Sequence, residues 1–162
     1  MKTHIDRIDG QILSCLQEDA TMPVADVAAR VGLSPSPCWR RIQRLEAAGV
    51  IRKRVTLLDP ERMGVGVTVF VSIRTNRHNA AWSKAFCTAV ARIPEVVEFY
   101  RMSGQVDYLL RIVVPDIAAY DRIYNQMIEA AELYDVSSGF AMETLKYTTA
   151  LPVEYAIAGE AS

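Results

Sequence analysis

At 162 residues, half of them hydrophobic, the chain can hold one domain or two small ones and is far from a disordered composition. No apolar run approaches the roughly 18 residues of a membrane span and the first residues carry no signal-peptide pattern, so a cytoplasmic protein without a membrane partner is expected. The net charge of −1 hides an asymmetry, because residues 1–60 carry 9 Lys/Arg against 7 Asp/Glu while residues 61–162 carry 9 against 12. Six of the basic residues (Arg40, Arg41, Arg44, Arg52, Lys53, Arg54) lie between Trp39 and Arg54 with Glu46 as the single acid. Such a patch on one module points to a polyanion. Cys15, Cys38 and Cys87 are odd in number and lack Cys-x-x-Cys spacing, and His4 and His78 are the only histidines. A disulfide framework, a metal site and a cofactor are therefore not expected.

In chain order, Asp6–Glu18 reads as a helix with Ile5, Ile8, Ile12, Cys15 and Leu16 on one face. Pro23 opens a second, short helix with Val24, Val27, Ala28 and Val31 inward, and Gly32-Leu33 makes the turn into a third. That third helix runs from Ser34 to Gly49: Ser34 can cap it, Pro35 and Pro37 stand where helix N–H groups have no partner, and Gly49 supplies a left-handed terminus. Cys38, Ile42 and Leu45 fall within about 60° of one another as a core stripe, while Arg40 and Arg44 fall opposite, flanked by Ser36, Pro37 and Arg41. An arginine-lined face is either a solvated surface or a surface for phosphates and base edges. Three short helices with a Gly turn before the basic one form the helix-turn-helix arrangement, which favours the second reading and double-stranded DNA as partner.

After Gly49 the periodicity changes to two. Ile51–Leu58 is expected as a wing or linker strand with Arg52 and Arg54 on one side, able to reach the DNA backbone, and Asp59-Pro60 marks a turn. A second domain then begins. Val65–Arg74 alternates as a strand; Asn79 caps a helix with Trp82, Phe86, Ala89, Val90 and Ile93 inward. Val96–Met102 and Asp107–Val114 are strands around a tight connection. Pro115-Asp116 opens a helix with Tyr120, Ile123, Tyr124, Met127, Ile128 and Ala131 inward, and Val136–Tyr147 is the last strand. The order βαββαβ predicts a ferredoxin-like α+β domain: two helices on one face of a four-stranded antiparallel sheet. An apolar second sheet face predicts pairing with a copy of the chain. Boundaries are expected at 1–60 for the winged helix-turn-helix and its linker strand, 61–155 for the ferredoxin-like domain, and 156–162 for a disordered tail.

These residues resemble the Lrp/AsnC, or feast/famine, family of transcriptional regulators over nearly the whole chain. The motifs are Ile5-Asp-Arg-Ile-Asp9 with Ile12-Leu13, Val31-Gly-Leu-Ser-Pro-Ser-Pro-Cys38, Arg41-Ile-Gln-Arg-Leu-Glu46 with Gly49-Val-Ile51, Gly104-Gln-Val-Asp-Tyr-Leu-Leu110 and Lys146-Tyr-Thr-Thr-Ala-Leu-Pro152. The resemblance implies a regulator of amino-acid metabolism with an N-terminal winged helix-turn-helix and a C-terminal amino-acid-sensing domain. It also implies dimers that assemble further, commonly to octamers. Pro37-Cys-Trp39, Ser138–Glu143 and Lys146–Thr149 are similar to a branch linked to cysteine catabolism.

By that resemblance the recognition helix is Ser34–Ala48, with Arg40, Arg41 and Arg44 contacting DNA and Ser36 placed for a base edge or a phosphate. Trp39 sits at the border of the two faces, where a packed aromatic competes with a base contact; Cys38 is expected as a buried thiol. The family's effector site centres on a Gly-x-x-Asp turn, here Gly104–Asp107. Gly104 would let backbone N–H groups approach a ligand carboxylate, and Asp107 would pair with its ammonium. Met102 and Ser103 would border the pocket, and Ser137 and Ser138 would come from a neighbouring dimer. The same residues also read as a plain hairpin turn. Glu132-Leu-Tyr-Asp135 replaces the family's frequent Pro-Gly turn. A ligand-indifferent, architectural DNA-compacting protein of the same fold is the alternative. An enzyme is not expected, since no nucleophile–base pair, Walker motif or Gly-x-Gly-x-x-Gly is present and Gly64-Val-Gly66 is too short to count.

Overall fold

The first helix, α1 (Arg7–Glu18), starts where two aspartates close a reciprocal cap: the Asp9 N–H donates to the Asp6 carboxylate at 2.8 Å and the Asp6 N–H to the Asp9 carboxylate at 3.2 Å. α2 (Val24–Arg30) begins after Pro23 and ends at Gly32, whose φ of +71° lets the Gly32 N–H reach the Ala29 carbonyl and the Leu33 N–H the Ala28 carbonyl. The same double closure, at Gly49 (φ +72°), ends α3 (Pro35–Ala47) through Gly49 N–H to Glu46 O and Val50 N–H to Leu45 O. Ser34 stands at the N-cap in extended conformation, but its side chain makes no capping bond. Pro37 occupies the third helical position and has no N–H to offer it. Ile12, Val27, Ala28, Cys38 and Ile42 form the buried centre of the three helices, with Leu45 buried as well.

The structure, a computed structural model, describes residues 4–76, 79–130 and 133–158. It divides into two units. One gathers the chain up to Thr56 with that from Lys146 onward, and the other is Leu57–Leu145. Three expectations are corrected here. Residues 51–58 form no strand; Val55, Leu57 and Leu58 are exposed and have no ladder among the described residues. Residues 146–155, expected in the second domain, group with the first unit. There the Gln17 amide pairs both ways with the Leu151 backbone, donating to its carbonyl at 3.0 Å and accepting from its N–H at 2.7 Å. Residues 156–158, expected as tail, close the short helix α6 (Glu154–Ala158). Ile157 of α6 covers Gly10, at which any Cβ would overlap the isoleucine side chain, which accounts for a glycine in mid-helix despite its lower propensity. Residues 159–162 lie outside the described residues.

In the second unit, β1 (Val67–Arg74), β2 (Val96–Arg101), β3 (Tyr108–Val114) and β4 (Asp135–Phe140) form one antiparallel sheet in the order β2-β3-β1-β4. α4 (Ala80–Val90) starts at Asn79, whose side chain accepts the Trp82 N–H, and α5 (Ile117–Ala130) starts where Asp116 accepts the Ala119 N–H at 2.7 Å. Val69, Val71 and Ile73 of β1 and Leu110, Ile112 and Val114 of β3 are buried in one core with Phe86 and Val90 of α4 and Ile123 and Met127 of α5. The register Val71↔Leu110 and Phe70↔Arg111 puts Phe70 on the open face, which is mixed rather than largely apolar: Arg111 and Glu98 form an ion pair at 2.7 Å beside the exposed Phe70 and Tyr100. β4 ends at Phe140, not Tyr147, because its partner runs out: Phe140 pairs with Val69 and Ala141 bonds Thr68, next to the start of β1. Ile128 is exposed rather than inward, and Ala131 lies outside the described residues.

Candidate nucleic-acid interface and effector cleft

On α3 the core stripe faces inward as expected, and the side chains around it divide into two groups. Arg40, Ser36 and Trp39 are exposed and, with Val24 and Pro35, border an open groove of about 490 Å³. Arg40 has no ion-pair partner among the described residues. Arg41 lies only about 60° from the core stripe on the α1 side, and its guanidinium donates to Asp6 at 2.7 Å and to Asp9 at 2.9 Å. Arg44 also donates to Asp9. Asp9 is fully buried; two arginines and the Asp6 N–H satisfy it. This four-residue network fixes the angle between α1 and α3 and uses two of the arginines expected at DNA. The signal for it was in the sequence: Asp9 stands among the inward positions of α1, and a buried carboxylate requires a cation.

Of the basic residues after α3, Arg52 is exposed without a partner among the described residues, whereas Arg54 donates to Glu46 at 3.1 Å. Burial pushes the Cys38 thiol up, with Cys15 adding to the effect and Arg41 partly opposing it, so Cys38 is a core thiol. For Asp6, burial acts to raise the pKa, but the Asp9 N–H and the Arg41 guanidinium outweigh it and hold the carboxyl below its ordinary 3.8. A carboxylate lowered on folding contributes stability that is complete above its unfolded value and is lost as the pH falls through the folded one. Below about pH 4, Asp6→Asn should therefore flatten the acid limb of the first unit's stability–pH profile, measured by chemical unfolding; an unchanged limb would show that other carboxylates dominate it.

In the second unit Gly104 has φ +107°, a conformation that favours glycine. It turns the β2–β3 hairpin, closed by the Met102 N–H on the Asp107 carbonyl at 2.8 Å. Asp107 also ties the start of β3 to the end of β1: its N–H donates to Ile73 O at 3.0 Å and its carboxylate accepts the Thr75 N–H at 2.7 Å. Two clefts share Thr75 and Asp107. One, of about 390 Å³, is lined by Asn79, Ala80, Ser83, Lys84 and Cys87 of the α4 region with Arg101 and Tyr108. The other, of about 440 Å³, is lined by Arg74, Asn76, Gly104, Gln105 and Tyr134, with Arg74 over the Tyr134 ring. The structure thus brings Gly104 and Asp107 to a cleft but leaves Met102 and Ser103 on the exposed hairpin outside both. Ser137 faces the open side of the sheet opposite Ser72, and Ser138 bonds the Tyr120 hydroxyl on the helix side. Sequence reasoning missed Thr75, Ser83, Lys84 and Arg101, which become neighbours of Asp107 only through strand order. Glu132 and His78 lie outside the described residues.

The AsnC-type helix-turn-helix domain model matches residues 5–46 and the Lrp/AsnC ligand binding domain model matches residues 68–151. The chain belongs to the Lrp/AsnC family. Among its Lrp/AsnC relatives, the glutamate uptake regulatory protein of Zymomonas mobilis is 49% identical over 92% of this chain and 91% of its own length. An AsnC family transcriptional regulator from Agrobacterium tumefaciens is 63% identical and superposes with a TM-score of 0.90, covering 93% of this chain and 98% of its own. A Neisseria meningitidis regulator solved as a complex with L-Met is 32% identical, with a TM-score of 0.88 over 93% of this chain and 97% of its own. The protein is therefore a transcriptional regulator with a DNA-binding helix-turn-helix and a ligand-binding domain; the ligand-binding match covers most of the second unit and extends to residue 151, into the segment that groups with the first. Among the described residues no helix is long and apolar enough to cross a membrane, and no group of three or more His, Cys, Asp or Glu is placed to hold a metal ion.

Proposed function

We propose that α3 reads DNA through Arg40 and Ser36, that Arg52 contacts the backbone, and that an amino acid bound beside Gly104 and Asp107 changes DNA binding. The observation that carries the first part is the division of labour on α3: Arg40 is exposed and unpaired, while Arg41 and Arg44 are held by Asp9. The amino-acid class is supported by the L-Met complex of the Neisseria relative and by Asp107, a half-exposed carboxylate next to a left-handed glycine. Self-association, as dimers that assemble further to octamers, is supported by exposed apolar side chains: Phe70 and Tyr100 on the open sheet face, and Leu57, Leu58, Met142 and Leu145 on the connecting segments. A regulator rather than an enzyme, acting in the cytoplasm, is the reading that the match to a DNA-binding helix-turn-helix domain supports.

Arg40→Ala should weaken specific DNA binding by about 1–3 kcal/mol if the guanidinium meets a base edge, and leave the unfolding midpoint unchanged. Arg41→Ala should lower stability first and DNA affinity only in consequence. Fluorescence anisotropy on a genomic fragment selected by the protein, run over a salt series, separates the two. Equal affinity for Arg40→Ala and the parent, with the same salt slope, would remove Arg40 from the interface.

A further inference from the structure

The α4 cleft carries more positive charge than a neutral amino acid can satisfy. Ala80, Ser83, Lys84 and Cys87 recur at helical spacing on one face of α4, so the helix turns one stripe to the cleft, with Ser83 and Lys84 as its polar members. The Ser83 hydroxyl and the Tyr108 hydroxyl are 2.9 Å apart, which fixes that stripe against β3. Across from it stands Arg101, paired in register with Tyr108 at the end of β2. Lys84 and Arg101 both line the cleft, and neither the Lys84 ammonium nor the Arg101 guanidinium has a hydrogen-bond or ion-pair partner among the described residues. The one acid in the lining is Asp107, and one of its oxygens already accepts the Thr75 N–H. The cleft therefore carries two cations against one carboxylate. Its volume of about 390 Å³ lies within the range of small-molecule sites.

We infer that this cleft binds a dicarboxylic α-amino acid. Asp107 takes the ammonium, and Lys84 and Arg101 take one carboxylate each, with the Ser83 hydroxyl as an additional donor. The charges then balance, since a ligand of net charge −1 neutralises a lining of net charge +1. A neutral amino acid would leave one cation unmatched, and a dicarboxylate without the amino group would leave Asp107 facing like charge. The inference rests on the reading that the hairpin beside Asp107 is an effector site, and it adds the class of ligand.

The test is calorimetric titration of the full-length protein with L-glutamate, L-aspartate, L-glutamine, L-leucine and glutarate, repeated with Lys84→Met and Arg101→Met. Both side chains are exposed, so the variants should fold. The expected result is that one of the two acidic amino acids binds more tightly than glutamine, leucine and glutarate. Each variant should then reduce that affinity by about 10- to 100-fold, the value of a hydrogen bond to a charged group. Cys87, half-buried in the wall, gives an independent readout: its alkylation, followed by peptide mass spectrometry, should slow when the acidic amino acid is bound. Binding of leucine or glutamine as tight as that of the acidic amino acids, and indifferent to both variants, would overturn the dicarboxylic assignment while leaving an amino-acid effector in place. Glutarate binding as tightly as glutamate would overturn the role given to Asp107. Binding of no amino acid would overturn both the inference and the effector reading beneath it.

Discussion

Phe86→Ala should destabilise the ligand-binding unit by about 3–5 kcal/mol, the range for deleting a buried aromatic side chain. Phe86 is completely buried at the centre of an aromatic cluster, with ring centroids 5.2 Å from Trp82, 5.2 Å from Tyr108 and 6.0 Å from Phe99. Those partners come from α4, β2 and β3, so the ring joins the helix that lines the cleft to the two strands that form its floor. Removing it leaves a cavity that stacked rings cannot collapse to fill, and it frees Tyr108, whose hydroxyl holds Ser83. Phe86→Leu, which keeps most of the volume, should cost no more than about 1.5 kcal/mol. Thermal and urea unfolding followed by Trp82 fluorescence in a Trp39→Phe background measure both. A loss below about 1 kcal/mol for Phe86→Ala would mean that the helix is seated by other contacts and that the cleft does not depend on this ring.

Asp9→Ala should destabilise the DNA-binding unit by about 3 kcal/mol. Breaking a buried ion pair from one side costs about 3–5 kcal/mol because the remaining charge loses its partner. The lower end applies here because the Arg41 and Arg44 side chains keep 29% and 46% of their exposure and water takes up part of their charge. The substitution also removes half of the reciprocal cap at the start of α1. Asp9→Asn, which still accepts hydrogen bonds but carries no charge, should fall between the two. Native-state hydrogen exchange of the α1 and α3 amides reads the loss in this unit alone. Unchanged protection in Asp9→Ala would show that the apolar contacts of Ile12, Ile42 and Leu45 set the α1–α3 angle by themselves.

The features that were legible in the sequence are those decided locally. The spacing of Cys38, Ile42 and Leu45, the turn at Gly32, the left-handed Gly49, and the alternation of Val67–Ile73 each depend on a few neighbouring residues, and each stands in the structure as the pattern requires. What was not legible depends on partners distant in the chain. An alternating run such as Ile51–Leu58 is a strand only if another strand supplies its ladder, and none does so among the described residues. The segment 146–158 carries little periodicity, and its place beside α1 involves the Gln17 amide together with Val153 and Ile157 against Gly10, none of which a local pattern announces. That Arg41 and Arg44 pair with Asp9 was not legible, because a helical wheel separates only core from surface and Asp9 lies more than thirty positions earlier. In the candidate effector region the Gly-x-x-Asp turn was visible, but Lys84 and Arg101 approach it only through the packing of α4 and the pairing of β2 with β3.

The most direct test of the central claim is a DNA-binding titration of the full-length protein on a selected genomic fragment, in the presence of each of the twenty amino acids in turn, with Asp107→Asn alongside. Asn keeps an acceptor for the Thr75 N–H and removes the charge proposed to meet the ligand's ammonium. At least one amino acid should shift the midpoint by about 5- to 150-fold, the usual span of coupling between two sites, and the shift should vanish in Asp107→Asn. DNA binding that is unmoved by all twenty amino acids would contradict the account and leave an architectural protein in its place.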